Sequence, residues 1–216
     1  VISVLVDLDG TITDPAPGII AAVRHAIAAM GRTPPPADAL RWVIGPPLRE
    51  TFPHLLGPGA DVERALSYYR DHYGAGGLFD AVLVPGMAEA LAALASDGRV
   101  LFVCTSKPHP YARRIIEHFG LSGYFRHIYG PELDGTHDDK GDLIAHIIAQ
   151  EGIHPSRTVM VGDRLHDVRG AKHNGIATIG VLWGYGDRAE LETAGAAAII
   201  DQPQMLHDTV RRLLHQ

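Results

Sequence analysis

The sequence predicts an α/β fold, a doubly wound parallel sheet with a small all-helical unit inserted after the first strand. Three observations lead there. An apolar, β-branched run opens the chain at Val1–Val6 and ends in two aspartates. No strand-like run follows between about residues 15 and 80, where only helical patterns occur. Beyond about residue 85, apolar runs alternate with helical stretches, the pattern of βα units on a parallel sheet.

The opening run is too short for an ordinary helix, and its unbroken apolar character suits a strand buried on both faces. After Pro15 and Pro17, an Ala-rich helical pattern runs from Gly18 to about Met30, stopped by Gly31 and Pro34–Pro36. A short helix is predicted over Asp38–Val43, then the breaker Gly45-Pro46-Pro47, then a helix over Leu48–Leu56. Asp61 is a natural cap for a helix to His72, with Leu66, Tyr69 and Tyr73 at helical spacing. A helix ending near Asp97-Gly98 precedes a strand at Val100–Cys104, then a helix over Tyr111–Phe119 and a short apolar piece at His127–Tyr129. The remainder reads as helix Gly141–Gln150, strand Thr158–Val161, helix Asp167–Asn174, strand Ala177–Leu182, a weak strand Ala197–Ile200 and a helix ending at Gln216. The expected division is 1–14 with 83–216 for the sheet unit and 15–82 for the helical one.

Composition narrows the partners. A formal net charge of −6 and pI near 6.1 argue against a nucleic-acid binder working through a basic surface, though local positive charge can still bind anions. The lone Cys104 permits no internal disulfide, which points to a reducing compartment, and its apolar run makes it core. No stretch is long and apolar enough to span a membrane. The opening run passes into Asp7 without a basic leader or cleavage site, unlike a signal peptide. The missing initiator Met suggests a trimmed chain or an internal start. The thirteen His show no HExxH or paired ligand spacing for zinc, and no GxxxxGK[ST] or GxGxxG implies a nucleotide cofactor.

Four polar clusters follow strands. At the first, Asp7-Leu8-Asp9-Gly10-Thr11, strand alternation puts both carboxylates on one side and Gly10 lets the backbone turn away. Buried carboxylates there need a cation or several donors, and hard oxygen ligands at a strand end suit Mg²⁺. A plain strand–turn boundary has the same residue types. At the second, Thr105-Ser106-Lys107-Pro108, a hydroxyl and free N–H groups can hold a phosphoryl oxygen, or cap a helix. The third is Lys140 at a helix start, unfavourable for the helix dipole and so in need of an anionic partner unless it is solvated. The fourth is Gly162-Asp163-Arg164-Leu165-His166-Asp167, with Asp163 placed on its strand as Asp7 is on the first.

In order and spacing the four clusters resemble the motifs of the haloacid dehalogenase (HAD) superfamily of phosphohydrolases, in particular its phosphoglycolate phosphatase-like branch. Asp7–Thr11, Thr105, Lys140 and Gly162–Asp167 match its first to fourth motifs, and Gly170–Gly175 and Gly180–Gly186 also resemble this branch. The resemblance spans essentially the whole chain and implies a Rossmann-like core with residues 15–82 as a helical C1 cap. It implies a phosphatase in which Asp7 is the nucleophile and Asp9 the acid–base. Mg²⁺ would sit on Asp7, the Asp9 carbonyl and Asp163, with Asp167 behind them. Gly10, Thr105, Ser106 and Lys140 would hold phosphate. The substrate is expected to be a small phosphorylated metabolite, phosphoglycolate first and a nucleoside 5′-monophosphate second, handled in the cytoplasm. A phosphomutase would share this core. A dehalogenase would not keep the Asp9 carboxylate, and a non-catalytic binding protein would not need the full acidic set. In the helical unit, Pro46-Pro47 sets Arg49 in the first turn of a helix, a place for an anionic substrate group or for a pair with Glu50 or Glu63.

Overall fold

The computed structural model describes residues 1–214, and the last two positions of the C-terminal helix expected to reach Gln216 lie outside them. The elements run β1 Ser3–Val6, β2 Thr13–Asp14, α1 Ala16–Ala29, α2 Leu48–Leu56, α3 Val62–Ala75, β3 Val82–Leu83, α4 Met87–Ser96, β4 Val100–Cys104, α5 His109–His118, β5 Phe125–Tyr129, α6 Lys140–Glu151, β6 Thr158–Gly162, α7 Leu165–His173, β7 Ala177–Val181, α8 Arg188–Ala194, β8 Ala198–Ile200 and α9 Leu206–Leu214. Ala37–Val43 is a 3-10 helix rather than an α-helix. The chain divides into two compact units, 1–14 with 83–216 and 15–82.

The first unit is a six-stranded sheet in the order β5-β4-β1-β6-β7-β8, every pairing parallel. β1 lies between β4 and β6, with Leu5 level with Phe102 on one side and Met160 on the other. Those three side chains share a core with Leu143, Ile144 and Ile147 of α6 and Ala171 of α7. Alternation turns Val4 and Val6 to the opposite face, and they too are fully buried. Both faces are therefore covered, which is why these strands carry continuous apolar runs. Sequence-consecutive strands depart from β1 in both directions, so the carboxyl ends of β1, β4 and β6 flank the point where open α/β sheets bind ligands. Just past β1 the chain folds tightly, the Leu8 carbonyl accepting from the N–H groups of Thr11, Ile12 and Thr13. Val84 N–H donates to the Ile12 carbonyl, where the chain re-enters this unit.

The second unit contains α1, the 3-10 helix, α2 and α3. Its interior holds Val23, Ile27, Leu40, Ile44, Phe52, Leu56, Tyr69 and Tyr73, with the Tyr69 and Tyr73 rings stacked at 5.2 Å. Asp61 caps α3, its side chain accepting from Arg64 N–H at 3.0 Å. Gly18 of α1 is required by packing, because a Cβ there would stand 1.9 Å from the Gly77 carbonyl oxygen. Alanine is the better helix former by about 1 kcal/mol. Forcing extra volume into a packed contact costs about 1–3 kcal/mol, so the clash wins. Gly18→Ala should lower the thermal midpoint, whereas Gly123→Ala, with open space at its Cβ, should leave it unchanged. An unshifted midpoint for Gly18→Ala would mean that α1 is not held this closely.

Candidate active site

The ladder itself delivers Asp7 to the carboxyl end of the sheet, for its N–H donates to the Val161 carbonyl at 2.9 Å and continues the pairing of β1 with β6. Its Oδ1 accepts from Leu8 N–H at 2.8 Å and from Lys140 Nζ at 3.1 Å. Lys140 is the first residue of α6, whose N-cap is Asp139. The helix is brought close by glycine, since a Cβ on Gly170 of α7 would lie 3.0 Å from the Gly141 nitrogen. Asn174 ties the contact, donating to the Gly141 and Gly170 carbonyls at 2.9 Å each. The anionic partners that a lysine in this place needs are Asp7 and Asp167, the latter at 2.9 Å.

Asp163 follows β6 and Asp167 lies in the first turn of α7. Asp163 Oδ2 accepts from Tyr185 N–H at 2.7 Å, and Oδ1 is 3.5 Å from the Thr11 hydroxyl. The main chain closes around this carboxylate. A Cβ on Gly10 would meet its Oδ2 at 2.2 Å, and one on Gly184 at 2.3 Å. Asp167 Oδ2 accepts from Arg164 N–H at 3.1 Å, and Gly162 leaves the space that its carboxyl occupies. Oxygens of Asp7, Asp163 and Asp167, one from each, lie within 4.8 Å of one another, and all three residues are buried.

Burial pushes the Asp163 carboxyl well above the usual range, with Asp167 and Asp7 adding to the rise. The same burial, with Asp7 beside it and against the pull of Lys140, brings Asp167 up to about 6. For Lys140 burial acts downward, but Asp167 and Asp7 more than offset it, and the ammonium stays protonated. The three carboxylates outnumber the lysine among them, and that excess of negative charge adds to burial in raising Asp163 and Asp167. Three converging hard oxygen donors with surplus charge fit a divalent cation of the Mg²⁺ kind. Asp167 Oδ1 points the same way, because it is buried, ion-paired to Lys140, and makes no well-directed hydrogen bond among the described residues.

The remaining expected positions fall into three places. Asp9 is buried beside Lys107 of the second cluster, with Nζ 2.9 Å from Asp9 Oδ2. Burial raises the Asp9 carboxyl, and Lys107 offsets part of the rise. Thr105 is buried at the end of β4, its N–H on the Tyr129 carbonyl and its hydroxyl accepting from Lys107 N–H at 3.1 Å, while Ser106 beside it is half-buried. Arg49 lies in the helical unit, where its Nε is 2.9 Å from Glu63 Oε1. Lys107 is the residue that the sequence did not single out as functional. It stood in the cluster containing Thr105, but its partner is far away in sequence, and only burial marks it.

A parallel sheet with acids and a buried lysine at its strand ends defines a class, enzymes that move a group carrying negative charge. The haloacid dehalogenase-like hydrolase family profile matches residues 4–181, and the chain belongs to that family. A 5′-nucleotidase of Pseudomonas aeruginosa is 42% identical over 88% of this chain and 86% of its own length. The tyrosine-protein kinase PtkA of Mycobacterium tuberculosis is 43% identical over 92% of this chain and 70% of its own. A phosphoglycolate phosphatase of Agrobacterium fabrum is 30% identical over 90% and 86%. Among solved structures, a predicted phosphatase from Clostridium acetobutylicum superposes with a TM-score of 0.93 at 36% identity, over 97% of this chain and 98% of that one. The protein is accordingly an enzyme, a phosphoric monoester hydrolase of the HAD type.

The charge excess has a measurable consequence. A carboxylate whose pKa is raised on folding adds stability in full below its unfolded value near 4, and that stability is lost as pH rises through the folded value. In chelated protein, the loss for Asp167 is therefore expected between about pH 4 and about pH 6. A divalent cation removes the repulsion only where the acids are ionised. The rise in thermal midpoint on adding Mg²⁺ should be small at pH 5 and larger at pH 7.5. Equal rises at both would detach the cation from these carboxylates.

Proposed function

We propose that the protein is a Mg²⁺-dependent phosphatase that acts through an aspartyl-phosphate on Asp7, and that its substrate is a nucleoside 5′-monophosphate. The observation that carries the reading is the buried Asp7 carboxylate held by Lys140 and faced by Asp163 and Asp167. Its two hydrogen bonds fall on Oδ1, which leaves Oδ2 as the attacking oxygen. Asp7 Oδ2 bonds to phosphorus as the ester P–O bond breaks, and Asp9 gives its proton to the leaving oxygen. Asp9 then takes a proton from water, which attacks the same phosphorus and returns Asp7 to a carboxylate. Lys140, Thr105, Ser106 and the turn at Gly10 would cradle the phosphoryl oxygens. Asp7, Asp163 and the Asp9 carbonyl, backed by Asp167, would hold Mg²⁺, which when bound offsets the repulsion between a carboxylate and a phosphate dianion.

The nucleotide reading draws on the 42% identity to the 5′-nucleotidase. Phosphoglycolate, the first expectation from the motifs, is supported by the 30% relative and stands second. A panel of phosphomonoesters assayed for phosphate release ranks them, and phosphoglycolate turning over faster than every nucleotide would reverse the order. Asp7→Asn should abolish release with the thermal melt retained. Asp9→Asn should cost roughly 10²–10⁴-fold, the usual range for general acid–base catalysis. Folded Asp7→Asn that keeps wild-type turnover would sink the covalent scheme. The lone Cys104 is buried and permits no internal disulfide, which accords with work in the cytoplasm.

In this reading residues 15–82 form a substrate-selecting cap, and Arg49 meets an anionic group of the substrate. Its pair with Glu63 is partly exposed and worth about 0–1 kcal/mol, so exchanging it for substrate costs little. Losing one partner of a desolvated charged pair costs about 2–5 kcal/mol. Arg49→Ala is expected to lower kcat/KM about 30-fold or more, at about 1.4 kcal/mol per tenfold, with an unchanged melt. A loss under about threefold across the panel would assign Arg49 to Glu63 alone.

A further inference from the structure

Lys107 is a buried cation to which the scheme above gives no task. Its side chain is 4% exposed, and its ammonium lies 2.9 Å from Asp9 Oδ2. Stability is a weak reason for such a pair, since buried ion pairs are often replaceable by apolar residues at no loss. Its main chain is fixed on two sides. Its N–H donates to the Thr105 hydroxyl, and Gly130 at the end of β5 runs so close that a Cβ there would stand 2.2 Å from the Lys107 carbonyl oxygen. Lys140, the other buried lysine, is engaged with Asp7 and Asp167.

The two oxygens of Asp9 are not equivalent. Oδ2 is held by Lys107, whereas Oδ1 is buried with no hydrogen-bond partner among the described residues. A buried carboxyl oxygen without a partner is costly unless something arrives to meet it. An oxygen reserved in this way suits one that carries a proton to an incoming group.

We propose that Lys107 is a positioning residue, which by holding Asp9 Oδ2 aims Oδ1 at the oxygen of the departing alcohol. The inference rests on the aspartyl-phosphate reading. As the ester P–O bond breaks, its electron pair goes to the alcohol oxygen and the Oδ1 proton follows to the same atom. The carboxylate so formed is stabilised by the ammonium already on Oδ2. In the second half, Oδ1 receives the proton of the attacking water. Lys107 touches neither substrate nor phosphorus in this scheme.

Leaving-group dependence tests it. p-Nitrophenolate departs without protonation, whereas an alkoxide needs the acid, and kcat/KM reports the steps through phosphoryl transfer to Asp7. In wild type and Lys107→Met with Mg²⁺, kcat/KM is measured for p-nitrophenyl phosphate and for an alkyl phosphomonoester. The alkyl ester should lose at least tenfold more than the aryl ester. Lys107→Met should add nothing further in an Asp9→Asn background, and Lys107→Arg should recover part of the alkyl activity. Equal losses on both esters, as expected if Lys107 gripped the phosphoryl group or merely held the fold, would overturn the inference. So would full activity in Lys107→Met, or additive losses in the double variant. If Lys107→Met fails to melt cooperatively, the double variant, which removes both charges, and Lys107→Arg decide by the same ester comparison. Wild-type protein that releases phosphate from neither ester would refute the phosphatase reading itself, a different result from indiscriminate loss in the variant.

Discussion

Four carboxylates and two ammonium groups are buried together at the strand ends, and that imbalance governs the rest of the site. Asp7, Asp9, Asp163 and Asp167 are each no more than 8% exposed, as are Lys107 and Lys140. Withdrawing a charge from water costs several kcal/mol even after relaxation, so four ionised acids cannot be held by two lysines alone. The surplus raises Asp163 and Asp167, and an added cation would offset it. A fold that kept the acids for stability alone would be more easily built with apolar side chains. The acids are intelligible only through what they do to a ligand. The phosphate dianion proposed as substrate needs the same thing that they need, more positive charge, so metal and substrate draw on one electrostatic deficit.

The precision of the arrangement comes from main chain rather than from side-chain packing. Gly10 and Gly184 bring backbone onto the Asp163 carboxylate, Gly162 makes room for Asp167, Gly170 lets α7 reach the start of α6, and Gly130 presses on Lys107. Backbone at these distances fixes carboxylates and lysines more tightly than flexible side chains would, and pre-placed charge stabilises a transition state without reorganising. Gly10 has a second reason to be glycine, since its φ of +81° lies in the left-handed region.

How much of this is legible in sequence depends on range. β1, β4, β6 and β7 are visible because strands buried on both faces must be continuously apolar. Helix α2 is visible because Pro46-Pro47 and Gly57 bracket it. Helix α8 is not visible, since its seven residues are too few for a helical period to emerge, and its cap by Asp187 looks like any turn. Nor are β2 and β3, at two residues each. The acids at the strand ends are legible because a polar residue closing an apolar strand is anomalous in itself. Lys107 is not, because its meaning depends on Asp9, with the whole helical unit intervening in sequence. Arg49 illustrates the opposite case. Glu63 lies fourteen residues on, within the span where a partner can be guessed, but two exposed charges at that spacing tell nothing of a ligand.

In the proposed scheme, chemistry and choice of substrate reside on different lengths of chain. Every group assigned to phosphoryl transfer, from Asp7 to Asp167, belongs to the unit of 1–14 and 83–216. Relatives named for a nucleotidase, a tyrosine kinase and a phosphoglycolate phosphatase match 88%, 92% and 90% of the chain. In that scheme an Asp7 held by Lys140 specifies that a phosphoryl group is taken. It does not specify the alcohol from which the group comes, or the hydroxyl, of water or otherwise, that receives it. Within the scheme those choices fall to surfaces shaped to the rest of the substrate, and the helical unit, to which no group of the transfer is assigned, is the length of chain left to supply them. On that scheme, identity over the whole chain bears more on the covalent step than on the leaving group. In the proposed scheme the Asp9–Lys107 pair stands at the junction of the two, within the unit that carries the chemistry yet acting on the one atom that belongs to the leaving alcohol.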